Sequence, residues 1–242
     1  TTSLYAALVQ HPQIIPGKFK EVFYYGNSDN YKKGLSHYKQ FFATSYNKKS
    51  KESKLGKSAL AVDASTNTFE SIEAPQRILK DNPNAKIIFI LRNPTERAYS
   101  HYKMSFGRKW DLASFEKALE MEEARITEGA ERAKDFEGHN YAFQRLGYKS
   151  RSVYVNSMKH WFNEFPKENI LVLSSENFFN DPAQVFKTIC DFLKIDNVPV
   201  KFDKLNQGGK GKIDEKTRLY LQNYFKPYNE ELFTLLNTRY DW

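Results

Sequence analysis

A single cysteine, Cys190, leaves no partner for an intrachain disulfide, and the absence of a CxxC pair or a Cys/His array removes the usual sequence signature of a structural zinc site. That cysteine usage fits a reducing, cytoplasmic compartment. No apolar run approaches the roughly 18 residues of a membrane span, and no signal-peptide pattern is present. Internal repeats and low-complexity tracts are also lacking, which excludes a solenoid reading. Charge is not one-sided: 37 Lys and Arg stand against 29 Asp and Glu, a net +8. This excess biases the chain toward anionic partners such as a nucleotide, a sulfated or uronic glycan, nucleic acid or an acidic membrane, and is equally compatible with a well-solvated surface. Basic residues cluster only at Lys48, Lys49, Lys51, Lys54 and Lys57, in a stretch that reads as a loop. With 242 residues, 40% of them apolar, the chain supports one substantial core and is read as a single domain, 1–242.

Runs rich in apolar and β-branched residues at Lys86–Leu91 and Asn169–Leu173, with a weaker one at Ala59–Val62, are predicted as strands buried on both faces, as in a parallel sheet. Helical patterns alternate with them. Asn93-Pro94-Thr95-Glu96 sets an N-cap, a first-turn proline and a capping-box carboxylate in order, and Asp181-Pro182-Ala183-Gln184 repeats that grammar. The second helix carries Phe186, Ile189, Cys190 and Leu193 on one stripe, so Cys190 is expected to be a buried small hydrophobe. A helix over about 148–165 should bury Tyr154, Met158, Trp161 and Phe165. Residues 113–135 read as a charged, exposed helix with Phe115 and Leu119 on its small apolar side, and 219–225 and 230–236 as two terminal helices. The order predicts an α/β, three-layer, P-loop-like fold with a central parallel sheet flanked by helices.

Three hydroxyl residues, Thr1, Thr2 and Ser3, precede an amphipathic helix that stops near His11-Pro12. Backbone amides and hydroxyls at such a start bind phosphate, although Ser and Thr there are also ordinary caps. Arg92 directly follows a strand, at the carboxyl edge where open α/β sheets bind ligands, and Ser100 lies two turns into the next helix on the face of Glu96. A guanidinium and a hydroxyl converging there would grip a phosphate monoester.

The segment Arg92-Asn-Pro-Thr-Glu-Arg-Ala-Tyr-Ser100-His-Tyr resembles the 3'-phosphate-binding segment of sulfotransferases that use 3'-phosphoadenosine-5'-phosphosulfate (PAPS), especially the bacterial and heparan-sulfate-type branch. Thr1-Thr2-Ser3-Leu4 resembles the end of that family's 5'-phosphosulfate loop. Lys20-Glu21-Val-Phe-Tyr-Tyr25 and Tyr31–Tyr38 resemble its catalytic-base segment and following helix, and Asn169–Glu176 and Gly209–Lys212 its later strand and nucleotide loop. The resemblance implies that Arg92 and Ser100 bind the 3'-phosphate, that Lys210, Gly211 and Lys212 cover the nucleotide, and that Thr1, Thr2 and Ser3 hold the 5'-phosphosulfate. Glu21 would be the general base, with Lys20, Tyr24, Ser65 and Trp110 toward the acceptor. It also implies in-line sulfuryl transfer to a hydroxyl or amine of a glycan or small-molecule natural product, leaving adenosine 3',5'-bisphosphate (PAP), with no metal required and no nucleic-acid partner. The lack of the cysteine pair of lumenal heparan enzymes points to a cytoplasmic, bacterial protein.

Three departures stand out. The family's loop lysine, glycine and preceding strand should come before Thr1, so a first strand is expected upstream. Met104 stands where several relatives carry histidine, and His101 is out of phase to replace it. Asp63-Ala64-Ser65 occupies the place of an acidic-Lys-Ser/Thr acceptor motif and lacks its lysine. Two other readings remain open: a P-loop kinase, with Thr1–Ser3 as loop end and Asp63 as magnesium ligand, and a non-catalytic polyanion-binding module.

Overall fold

The computed structural model describes residues 1–135, 140–203, 205 and 211–242. The chain forms two compact units: Thr1–Leu91 with His160–Asn206, and Arg92–Lys159 with Gln207–Trp242. In chain order the elements are α1 (Thr2–Leu8), β1 (Ile14–Pro16), α2 (Ser28–Lys32), α3 (Leu35–Lys39), α4 (Ser45–Leu55), β2 (Leu60–Val62), α5 (Ala74–Asp81) and β3 (Ile87–Leu91). There follow α6 (Pro94–Gly107), α7 (Phe115–Asp135), α8 (Tyr141–Leu146), α9 (Tyr154–Glu164), β4 (Ile170–Ser174), α10 (Ser175–Asn180), α11 (Pro182–Leu193) and α12 (Glu215–Leu236).

In the first unit the strands pair in parallel, β1 with β2 (Ile14 opposite Leu60) and β3 with β4 (Ile87 opposite Ile170, Leu91 opposite Ser174). Alternation along β3 and β4 sends side chains both ways. Ile88, Ile90, Leu171 and Leu173 pack with Leu4, Ala7 and Leu8 of α1 and with Phe186, Ile189 and Cys190 of α11. Phe89, between those β3 positions, meets Trp161 and Phe69 edge-on at 5.0 and 4.9 Å. Trp161 is fully buried, and its indole N–H donates to the Phe69 carbonyl at 3.0 Å, so its polar atom is satisfied inside the core. A sheet covered on both faces explains why β3 and β4 are continuous apolar runs. The α/β class expected from the sequence is what the chain adopts. Cys190 is fully buried, as its place on the α11 stripe required.

The second unit is helical. Ala98 of α6, Phe115, Ala118 and Leu119 of α7, Tyr148, Ile213, and Leu221 and Phe225 of α12 form its core. Two buried acids here are paired: Asp111 accepts from Arg125 and from the Tyr148 hydroxyl, each at 2.8 Å. Glu122 of α7, 2% exposed, accepts from the backbone N–H groups of Lys149 and Ser150.

Several expectations are corrected. Residues 45–55 are helical rather than a loop. Thr44 caps α4 by accepting from the Asn47 N–H, and Gly56, at φ 63°, ends it; with no buried residue the helix has no apolar period to read. Strand β1 is too short to signal itself. The two terminal helices are one, α12, continuous through Pro227. An interior proline costs about 3 kcal/mol, and buried Leu221, Phe225, Leu232 and Phe233, on both sides of it, each offset about 1.5–3 kcal/mol of that. The Asn93 side chain accepts from the Thr95 and Glu96 N–H groups as expected, whereas the Glu96 carboxylate turns to arginines.

Candidate active site

In the first unit, α1 begins with the hydroxyl residues of the sequence reading. Ser3 is 7% exposed and its Oγ accepts from the Leu205 N–H at 3.0 Å. Lys20 donates to Thr1 Oγ1 at 3.4 Å and to Glu21 Oε1 at 2.9 Å, which joins the helix start to the adjacent carboxylate. The other carboxylate oxygen of Glu21, Oε2, accepts from the Thr66 hydroxyl at 3.1 Å. Glu21 is thus gripped at both oxygens while about a quarter of its side chain stays open to solvent.

The residues around Glu21 are held by the segment after β2. The Ala64 N–H donates to the Lys20 carbonyl at 2.9 Å. Ser65 Oγ donates to Asp63 at 2.6 Å and accepts from the Phe23 N–H at 2.7 Å, and Phe23 sits at φ 53°, a left-handed conformation that a phenylalanine adopts only when its surroundings impose it. Asp63 is the hub: Oδ1 accepts from the Ser65 N–H and hydroxyl, and Oδ2 from the Tyr38 hydroxyl at 3.1 Å. Burial, and next the Asp63 charge, push the Tyr38 phenol well above its ordinary range, so it stays a donor. Both Asp63 oxygens are thus engaged within the protein. Tyr24 is 2% exposed and stacks on Tyr38 at 4.6 Å; it presents almost no surface to a ligand and builds the wall behind the loop.

In the second unit, Arg92 has a half-exposed side chain, and its carbonyl accepts from the Tyr154 hydroxyl at 3.0 Å. Its guanidinium lies 3.9 Å from Glu96 Oε2, while Arg218 of α12 donates to Glu96 Oε1 at 2.6 Å. Arg218 was not picked out in the sequence: 122 residues separate it from its partner, and no local pattern marks it. Ser100 is half-buried, and its hydroxyl has no protein partner among the described residues. The Tyr99 hydroxyl reaches the Lys212 carbonyl at 3.4 Å, and Ile213 is buried against α6 and α7, which fastens the end of the 209–212 segment. Gly211, at φ 154°, has Tyr99 Oη 2.8 Å from where a Cβ would stand, so a side chain there would have to displace the Tyr99 hydroxyl. Lys210 lies outside the described residues. Lys212 is exposed. Of the remaining candidates, Trp110 is 37% exposed between arginines.

His101 points away from any ligand role. It is 6% exposed, edge-on to Tyr148 at 5.2 Å, and burial followed by the Arg97 and Arg151 charges lowers its pKa to about 2. Met104, three residues on, is 41% exposed.

A half-exposed arginine, an unengaged serine hydroxyl and a glycine turn against Tyr99 suit a phosphorylated nucleotide, and a doubly held carboxylate beside a hydroxyl-rich helix start suits proton removal. Among the described residues no cluster of His, Cys, Asp or Glu is arranged to hold a metal ion, and no helix is long and apolar enough to cross a membrane.

Comparison with known proteins shows what the chain is similar to. A sulfotransferase domain model matches residues 1–209. The mouse bifunctional heparan sulfate N-deacetylase/N-sulfotransferase 4 is 29% identical over 98% of this chain, and the Xenopus laevis N-deacetylase/N-sulfotransferase 1 is 30% identical over the same share. This chain spans 28% of the length of each. The mouse heparan sulfate glucosamine 3-O-sulfotransferase 5 is 22% identical, matching all of this chain and 70% of that protein. The crystal structure of a sulfotransferase from Alicyclobacillus acidocaldarius superposes with a TM-score of 0.77 at 24% identity, covering 99% of this chain and 92% of the other, and so shares the fold. With the domain match running through most of its length, the chain belongs to the sulfotransferase family.

Proposed function

We propose that the two units act as one PAPS-dependent sulfotransferase domain that moves a sulfuryl group to a hydroxyl or amine on a glycan or small-molecule natural product. Thr1, Thr2 and Ser3 would hold the 5'-phosphosulfate, and Arg92, Ser100, Gly211, Lys212 and Lys210 the 3'-phosphate and nucleotide. Glu21 takes the acceptor's proton as the new bond to sulfur forms; the bond from sulfur to the donor's phosphate oxygen breaks, and its electron pair leaves with PAP. Lys20, between Thr1 and Glu21, is suited to stabilise charge growing on that leaving phosphate. No metal is needed in this scheme.

The observation that carries the reading is the Lys20 bridge, which brings the start of α1 and the carboxylate into one hydrogen-bonded group. The names of the heparan-modifying relatives support a saccharide acceptor. A cytoplasmic, bacterial setting belongs to the same proposal.

Glu21→Gln tests the assignment. It should abolish turnover with labelled PAPS while leaving the Kd for PAP within about twofold, since the amide keeps the shape and loses the base. Retained turnover would overturn the role of Glu21.

A further inference from the structure

At the end of α6, the guanidinium carbons of Arg108 and Arg145 lie 4.7 and 4.8 Å from the centroid of the Trp110 ring, and Arg145 also lies 5.0 Å from that of Tyr141. All four side chains are exposed. Their supports are specific. Lys109 turns the chain at φ 58°, the Trp110 N–H donates to the Ser105 carbonyl at 2.9 Å, and the fully buried Ser105 hydroxyl donates to the Arg145 carbonyl at 2.6 Å. A single serine therefore fastens both sides of the stack.

Among the described residues neither guanidinium has a carboxylate partner or a protein acceptor for its N–H groups. The nearby acid Asp111 is already taken by Arg125 and Tyr148. Stacking uses the face of a guanidinium and leaves its in-plane donors available, and it restrains a side chain that would otherwise lose rotamer entropy on binding. Two cations on one ring lie within about one Debye length, roughly 10 Å, of each other, so their repulsion is incompletely screened. An oxyanion accepting from both relieves it.

We propose that Arg108 and Arg145, held on Trp110, form an oxyanion subsite for a carboxylate or sulfate on a saccharide acceptor. That the saccharide is the acceptor rests on the sulfotransferase reading; the oxyanion site itself does not. Eight residues along the same helix separate Arg108 from Ser100, about 12 Å, so the helix assigned to the 3'-phosphate also carries this group at its other end.

The test is calorimetric titration, with PAP present, of a heparin-derived hexasaccharide, its fully desulfated uronate counterpart and neutral maltohexaose. Wild type should prefer the anionic ligands. Arg108→Gln/Arg145→Gln should weaken the preferred one at least tenfold with the Kd for PAP unchanged, whereas Lys49→Gln/Lys54→Gln, which removes the same charge from exposed α4, should change it less than twofold. Whether sulfated or uronate ligand is affected identifies the oxyanion. Equal losses in both double variants, or no loss in the arginine variant, would overturn the subsite. Arginine-dependent saccharide binding in a wild type that fails to bind PAP would keep the subsite and remove the donor assignment.

Discussion

Glu21 sits next to its cation in the chain, yet what fixes it is a pair of contacts, Lys20 on Oε1 and Thr66 on Oε2. A carboxylate pinned at one oxygen can swing; pinned at both, it keeps one orientation toward a substrate proton. Replacing Thr66 with the isosteric valine removes one contact and little volume. A hydrogen bond to a charged group worth about 1.4 kcal/mol corresponds to a tenfold effect, so Thr66→Val should lower kcat about tenfold, leave KM for PAPS unchanged, and be restored by Thr66→Ser. Steady-state kinetics on the three proteins check this, and an unchanged kcat in the valine variant would show that Glu21 is fixed by other means. At this scale the sequence was partly legible. Arg92, Ser100 and Glu21 are marked by their resemblance to family segments, but Thr66 is 45 residues from the carboxylate it touches and Arg218 is 122 from Glu96. Tyr24 and Ser65, chosen for their chemistry, turn out to be engaged with their own protein.

Among the elements, α6 shows how much of one helix can be read from its sequence. Its start was readable because capping is local: Asn93 accepts from residues two and three positions on. Its two faces were readable from spacing, with Ala98, His101 and Ser105 buried and Met104 outside. The inward face has a consequence for pH. His101 is held neutral in the folded state, with its pKa near 2, while the unfolded chain takes up a proton below the ordinary value of 6.5. The unfolded state therefore binds more protons between those limits, and stability falls as pH drops through 6.5. For this single group the loss amounts to about 2 kcal/mol between pH 7 and pH 5. Urea denaturation at both values should show that much more acid destabilisation in wild type than in His101→Gln; an identical pH dependence in the two would refute the assignment. What was not legible among the elements has physical reasons as well. Helix α4 lacks any buried face, and α12 continues through Pro227 because tertiary burial outweighs a local penalty that the sequence displays openly.

For the whole molecule, the parallel strand pairs and their covering helices follow from the continuous apolar runs of β3 and β4 and from helices carrying one apolar stripe each. Such long periodic signals survive reading from sequence; three-residue strands like β1 do not. The residues proposed for the donor are Thr1–Ser3 in the first unit and Arg92, Ser100 and Gly211 in the second. The account's central claim is therefore one of ligand choice: a nucleotide with phosphates at both ends of its ribose should bind without divalent metal. The most direct measurement is titration of PAP into wild type and Arg92→Ala in the presence of a chelator. The account predicts saturable binding by wild type and a loss of about ten- to a hundredfold in the variant, as for a charge-assisted phosphate contact of about 1.5–3 kcal/mol. No binding of PAP to wild type, or equal affinity in the two proteins, would contradict it.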